Sequence, residues 1–459
     1  MPGISSAAIM AKPNTVAETL RGAVLWLDAR DSVAGEQAVV NKGTGGTVLN
    51  AQYGSAAGAE ANDPLFLPHA GTNYLYVPNT VSNLALVPDS NSLDIAGDID
   101  ISVITAQDDW TPGVLTGFIS KWANAPQLSF FFGISAANTL ILYISSTGSD
   151  SPSVTSSVAM TAADGTNLGV RVTRVQSTGL VTFYTSTNSG ASWVQLGSTQ
   201  TLMAGSSIFA GTEIVRIGGN ATYVGPGKYY RATIRDGIGG TAVLDVDFTA
   251  NTQQSSFVCT TGQTVTLNRS TLGRKLVVVT RPVWLFGTDD YMQVADNDLL
   301  DFAADESFTV MAVLRQWDYS TNQYILSKKN HETPTEAGWA LQFRLVNGYV
   351  GRTADGTNST FAGWRNLPEI PSPGTAYPIT YRKDGVMRNV RTYSGEMSGA
   401  AVTDSTLGSI SNSQPLKIGS LGSVGAYANM ECFSVLVWRR ALSASEIAAV
   451  STYLTAGII

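Results

Sequence analysis

Charge is the first thing in short supply. Only 14% of the 459 residues are Asp, Glu, Lys or Arg, against about 25% in an average soluble domain. The net charge of −7 is spread without long runs. That argues against a nucleic-acid partner and against an anionic membrane surface. Cysteine is nearly absent. Cys259 and Cys432 lie far apart and fit no metal spacing. They read as small buried apolar residues, with pairing left open. The two histidines, His69 and His331, also lack metal-ligand spacing and sit in loop-like sequence. No run of about 18 apolar residues is present, so no helical membrane span is expected. The opening "MPGISSAAIMAKPN" is too short and too polar for a secretory signal, so the chain is expected to be soluble and unsecreted. Phosphate-loop and Gly-x-Ser-x-Gly patterns are missing.

What is present favours strands and turns. Gly is abundant at 45 residues, and Ser, Thr and Asn are dense. "DISVITA" and "SFTVMAVL" alternate apolar and polar residues, as half-buried strands do. "LSFFFGI", "TLILYI", "LGVRVTRV", "LVTFYTS", "WALQFRLV" and "PITYRK" read likewise, and "TNSG", "DGIGG", "KDG" and "ADGTN" punctuate them. An internal repeat organises the strands. Residues 87–121 align without a gap on residues 294–328, with identities at Val87, Asp89, Leu93, Asp94, Ala96, Asp98, Val103, Trp110, Ser120 and Lys121. "VRIGG" at 215–219 matches "LKIGS" at 416–420. The expected fold class is all-β: two tandem antiparallel β-sandwich domains with a short C-terminal helix. The expected boundaries are an arm at 1–20, a first sandwich at 21–275 and a second at 276–459.

The ending is the most explicit segment. Residues 430–438 are apolar on both alternations except at Glu431 and Ser434, as in a strand covered on both faces. "SASE" follows, a capping box with Ser443 as N-cap and Glu446 reaching back to it. Ile447, Val450 and Leu454 then form one helical stripe suited to docking on a sandwich.

"VLVWRRALSASEI" closely resembles the closing segment of laminin-G-like domains, the concanavalin A-like jelly roll. "LFGTDDYMQVADNDLLDFAADESFTV" is similar to that family's opening. In the first copy, "AGTNYLYVPNTVSNLALVPDS" is a weaker opening, and "YYRATIRDGIGGTAVLDVDF" replaces the helix with a further strand. Two such jelly rolls without an export signal resemble a minor tail protein of an actinobacterial phage. The resemblance implies a non-enzymatic virion component, near the tail tip, that binds host-surface glycan or other phage tail proteins, with homo-oligomerisation open. A capsid decoration protein, or a cell-wall glycosidase on the same fold, are the alternatives. Jelly-roll glucanases carry Glu-x-Asp-x-Glu, which sets carboxylates on one strand face. None of the 11 Glu here has Asp two residues on. Asp245 and Asp247 in "LDVDF" share a face, as on any solvent-facing edge strand. "STNSGASW" at 186–193 resembles an Asp-box, a hairpin turn whose Trp packs inward.

The same resemblance makes calcium the cofactor to consider, between loops at a sandwich rim. Asp289, Asp290, Asp296 and Asp298 are dense enough for that, although Asp also caps turns. Sugar rings stack on exposed aromatics. Trp110 and Trp317 are equivalent in the two copies and Trp339 alternates like a core residue, so packing explains them. Trp122, Trp364 and Tyr319 have no counterpart and lie near loops; they are the expected glycan-binding residues. Residues 1–20 carry too little apolar surface for a core of their own. They are expected to dock on a partner or a symmetry mate.

Overall fold

A computed structural model describes residues 15–270, 273–329, 336–345, 348–357, 371–385, 387–391, 402–403, 408–421 and 426–458. The described residues are built almost wholly of antiparallel strands and divide into two compact units. One unit comprises residues 69–281. The other combines residues up to 68 with residues 282–458.

In the unit 69–281, two sheets face each other across an apolar core. One sheet runs in the order Ser153–Ala159, Thr139–Ile144, Leu128–Ile134, Thr116–Trp122, Val215–Ile217, Leu84–Val87, Thr264–Asn268, Ser256–Val258. The other is centred on Asn167–Arg174, Ile99–Gln107 and Gly227–Asp236. Two-residue alternation decides which side chains meet. Ile99, Ile101 and Val103 point into the core beside Val170, Val172, Ala232 and Ile234. Phe130, Phe132, Leu140, Leu142 and Ile144 do so from the opposite sheet. "YYRATIRDGIGGTAVLDVDF" forms the expected hairpin, with Thr241–Asp247 pairing along Gly227–Asp236.

The second unit is organised around the strand Met430–Trp438, every residue of which is buried. One edge pairs with Phe308–Gln316. The other pairs with Leu25–Asp28, in register Leu25 to Val437, and with Val283–Leu285. Ala51–Tyr53 pairs with Met292–Val294, and Leu65–Leu67 with Val283–Leu285. The tandem boundary near residue 275 is therefore corrected. Residues 23–67 complete the second jelly roll, and the first is inserted between them and residue 282. Val277–Val279 pairs with Tyr74–Val77 and belongs to the inserted unit. The reason is physical: a core strand must satisfy both edges, and its partner need not be its neighbour in sequence.

The closing helix spans Ala444–Thr455 with the capping box at Ser443 and Glu446 in place. Glu446 additionally pairs with Arg440 at 2.7 Å. Ile447, Val450 and Leu454 are buried. The expected N-terminal arm is corrected in part. Residues 1–14 lie outside the described residues. Val16–Arg21 forms a short helix with its own capping box at Thr15 and Glu18. Thr19 and Leu20 are buried, and the Trp438 indole donates to the Thr19 carbonyl at 2.7 Å. That stretch docks on its own chain.

Candidate functional site

Among the sequence-derived glycan-binding residues, Trp122 lies in a groove. It ends the strand Thr116–Trp122, beside Leu128–Ile134 and then Thr139–Ile144. With Phe130 and Phe132 turned to the core, Phe131 must face outward, and so must its cross-strand partner Tyr143. The two rings sit 5.8 Å apart, edge to face at 81°. Trp122 lies 5.8 Å from Tyr143 on its other side. Tyr223, on the loop after Val215–Ile217, approaches Phe131 at 6.3 Å. Phe131 is buried beneath these rings, Trp122 and Tyr143 are half-buried, and Tyr223 is 41% exposed. This close approach needs glycine underneath. A Cβ on Gly117 would fall 2.8 Å from the Phe131 ring and 2.9 Å from the Tyr223 carbonyl.

Trp122, Phe131, Tyr143 and Tyr223, with Leu115, Ser151 and Asn220, enclose about 170 Å³. Leu115 and Tyr223 also line an adjoining cleft of about 400 Å³, which includes Asp109, Thr116 and Thr222. Asn220 holds the Tyr223 turn: its Oδ1 accepts from the backbone N–H of Thr222 at 2.8 Å and of Tyr223 at 2.7 Å. That use of Oδ1 fixes the amide's orientation. Both hydrogen bonds of the Asn220 side chain are made by Oδ1, which leaves Nδ2 on the other side of the amide, and the buried Thr116 hydroxyl has no partner among the described residues. The site thus offers flat apolar faces with hydrogen-bonding groups beside them.

The other expected residues fall elsewhere. Trp364 lies outside the described residues. Tyr319 is in the other unit, packed on its core. It is half-buried against Phe343 at 4.9 Å, and its hydroxyl lies 3.1 Å from that of Tyr377. Burial raises its hydroxyl above the usual tyrosine range.

The four aspartates of the calcium expectation are spread over several local roles. Among the described residues no three His, Cys, Asp or Glu side chains gather into a metal-holding group. Asp290 is buried and accepts from the Gly287 N–H in its own turn at 2.6 Å, while Asp289 is exposed. Asp296 ion-pairs with Lys328 Nζ at 2.7 Å. Asp298 opens the 3-10 turn Asp298–Leu300, and its carbonyl accepts from Arg439.

Asp245 meets Arg231 in a two-bond pair at 2.7 and 2.6 Å. Burial alone would raise its carboxyl; Arg231, Thr260 and Thr233 outweigh that and hold it below the usual range. His69 sits 3.0 Å from Asn73, and His331 lies outside the described residues. Both cysteines are buried free thiols. Trp110 and Trp339 are fully buried, as their positions imply.

Phe131, Tyr143 and Tyr223 escaped the sequence reading. Phe131 and Tyr143 carried a usable signal: each is an aromatic on the outward phase of a strand whose inward phase is already filled.

No family model matches the chain, and no curated protein matches it. Solved structures similar to it include domains LG4-5 of the mouse laminin α1 chain, at 10% identity and a TM-score of 0.29, covering 84% of this chain and 96% of that one. The binding domain of Paraclostridial Mosquitocidal Protein 1 matches at 15% identity and 0.31, covering 46% of this chain and 49% of that one. The sialidase CBM40 of Ruminococcus gnavus, bound to α2,3-sialyllactose, matches at 16% and 0.28, covering 32% of this chain and 83% of that one. At such scores, function rests on this chain's own side chains.

Proposed function

We propose that the chain is a non-enzymatic glycan-binding component of a phage virion, a minor tail or tail-tip protein, with its sugar site in the aromatic groove of the inserted unit. One observation supports the binding role above others. Trp122, Tyr143 and Tyr223 present their rings around one small hollow, beside the Nδ2 of Asn220. Pyranose rings carry apolar C–H faces and hydroxyl rims, and this pairing of groups complements both. The virion role rests on the resemblance of the paired jelly rolls to a minor tail protein of an actinobacterial phage.

Trp122→Ala tests the binding role. On an array of bacterial surface glycans the unaltered protein is expected to bind a defined subset. The variant is expected to lose that signal by up to about tenfold, at about 0.5–1.5 kcal/mol for a stacked ring, with an unchanged melting temperature. Equal binding by the variant sinks this site. Antibody labelling of negatively stained particles addresses the location, and label on the head instead of the tail would favour capsid decoration.

A further inference from the structure

The opposite sheet of the inserted unit carries a second surface of different chemistry. Its central strands are Asn167–Arg174, Ile99–Gln107, Gly227–Asp236 and Thr241–Asp247. Register sets Arg171, Ser102, Thr233 and Asp245 in one row across their outward face. One row along, Asp100 lies opposite Arg235 in the ladder; on the other side, Ile104 lies opposite Arg231. The Asp-box-like turn at 186–193 folds over this face. Ser186 and Asn188 bind its backbone N–H groups, at 2.9 Å to Gly190 and 3.0 Å to Ser192. Its tryptophan rests on the sheet: a Cβ on Gly169 would stand 2.9 Å from the Trp193 ring. Asp100, Arg171, Trp193, Arg231, Thr233 and Arg235 thereby line a cleft of about 370 Å³.

A solvated face of ion pairs accounts for part of this. Arg171 grips Asp100 at 2.8 and 2.7 Å, and Arg231 grips Asp245 at 2.7 and 2.6 Å. Such pairs are ordinary. Arg235 is not accounted for. It is half-buried and gives one bond, Nη1 to the Gly240 carbonyl at 3.0 Å. Among the described residues it has no carboxylate partner, and Ser102 lines the same cleft. Across this face Asp100, Asp245 and Asp247 stand against Arg171, Arg231 and Arg235, so the charges balance and only the direct pairing is uneven: Arg171 and Arg231 are paired and Arg235 is not. A planar guanidinium with most of its donors unspent, at one end of a cleft whose other end holds the Trp193 ring, suits an oxyanion.

We propose that this cleft binds an acidic oligosaccharide, with a carboxylate or sulfate on Arg235 and a neighbouring ring on Trp193. The register gives the length. Asp100, paired with Arg235, and Ile104, beneath Trp193, are four residues apart, about 13 Å along the strand. A single sugar cannot span that, so the ligand has at least two units.

Calorimetric titration of the full chain with trigalacturonic acid, sulfated maltotriose and unmodified maltotriose tests this. One or both acids are expected to bind and maltotriose to bind at least tenfold more weakly; which acid binds identifies the anion. Arg235→Gln is expected to weaken the acid by about tenfold or more, the loss of a charge-assisted contact, and Arg235→Lys to restore part of it. Trp122→Ala is expected to leave the acid titration unchanged, which separates this site from the aromatic groove. Neither acid binding at millimolar concentration, maltotriose binding as well as the acids, or Arg235→Gln binding like the unaltered protein with an unchanged melting temperature would each overturn the proposal.

Discussion

Lys121 and Lys328 occupy equivalent places in the two jelly rolls, and both have fully buried side chains. Lys121 Nζ stands 2.7 Å from Asp89 and 2.5 Å from Asp94. Lys328 Nζ stands 2.7 Å from Asp296 and 2.9 Å from Asp301. These are the residues that made the internal repeat visible: 89 and 296, 94 and 301, 121 and 328 each differ by 207. The repeat was legible, but its chemistry was not. The aspartates precede Lys328 by 32 and 27 residues, and dense carboxylates alone read as a cation site. Here Asp296 and Asp301 meet an ammonium from the chain itself. Breaking a buried pair leaves the remaining charges uncompensated. Lys121→Met is therefore expected to destabilise the inserted unit by about 3 kcal/mol, read by chemical denaturation. Adding Asp89→Asn and Asp94→Asn should return part of that loss. No change in the single variant would show that the quarter-exposed aspartates are compensated by solvent.

At the scale of elements, the strand Met430–Trp438 and the helix after it were legible almost to the residue. Their signals are local: two-sided apolarity, a capping box and a 3.6-residue stripe. The helix Val16–Arg21 was missed although it carries the same box, Thr15 to Glu18. Its six residues are too few to show a stripe, and its burial depends on Trp438, over four hundred residues away. The aromatic groove was legible only through Trp122. Tyr223 reaches it from a loop whose path is set by Asn220, and no periodicity reports a loop's path. Burying Ile447, Val450 and Leu454 is worth about 1.5–3 kcal/mol each. Truncation after Leu442 is thus expected to remove one calorimetric transition, that of the unit containing Met430–Trp438, and to preserve the other. Two retained transitions would show that the helix is dispensable.

For the whole molecule, nesting replaces tandem order. The all-β class and the presence of two sandwiches followed from pattern and repeat. The nesting did not, because antiparallel pairing between Leu25–Asp28 and Met430–Trp438 leaves no mark on either strand alone. A polypeptide of residues 69–281 is expected to fold alone with a single cooperative transition. Residues 276–459 alone should not, since Met430–Trp438 would lose Leu25–Asp28 and expose a long apolar edge. Circular dichroism and gel filtration of the two fragments check this, and a well-folded, monomeric 276–459 would reinstate the tandem arrangement.

The places where the chain leaves one unit and returns to it are both zipped by strand pairing. Leu67 faces Val283 on the outer side of the junction, and Tyr74 faces Val279 on the inner side. Departing and returning chains are therefore held about one strand spacing apart, near 5 Å. That is a socket. Any module whose two ends emerge as neighbouring antiparallel strands meets its geometric requirement, whatever its specificity. Exchanging the segment between Pro68 and Pro282 for another such module leaves the strand pairs of the outer core intact, so the chain's nesting makes the inserted unit replaceable without redesign of the unit that holds its ends.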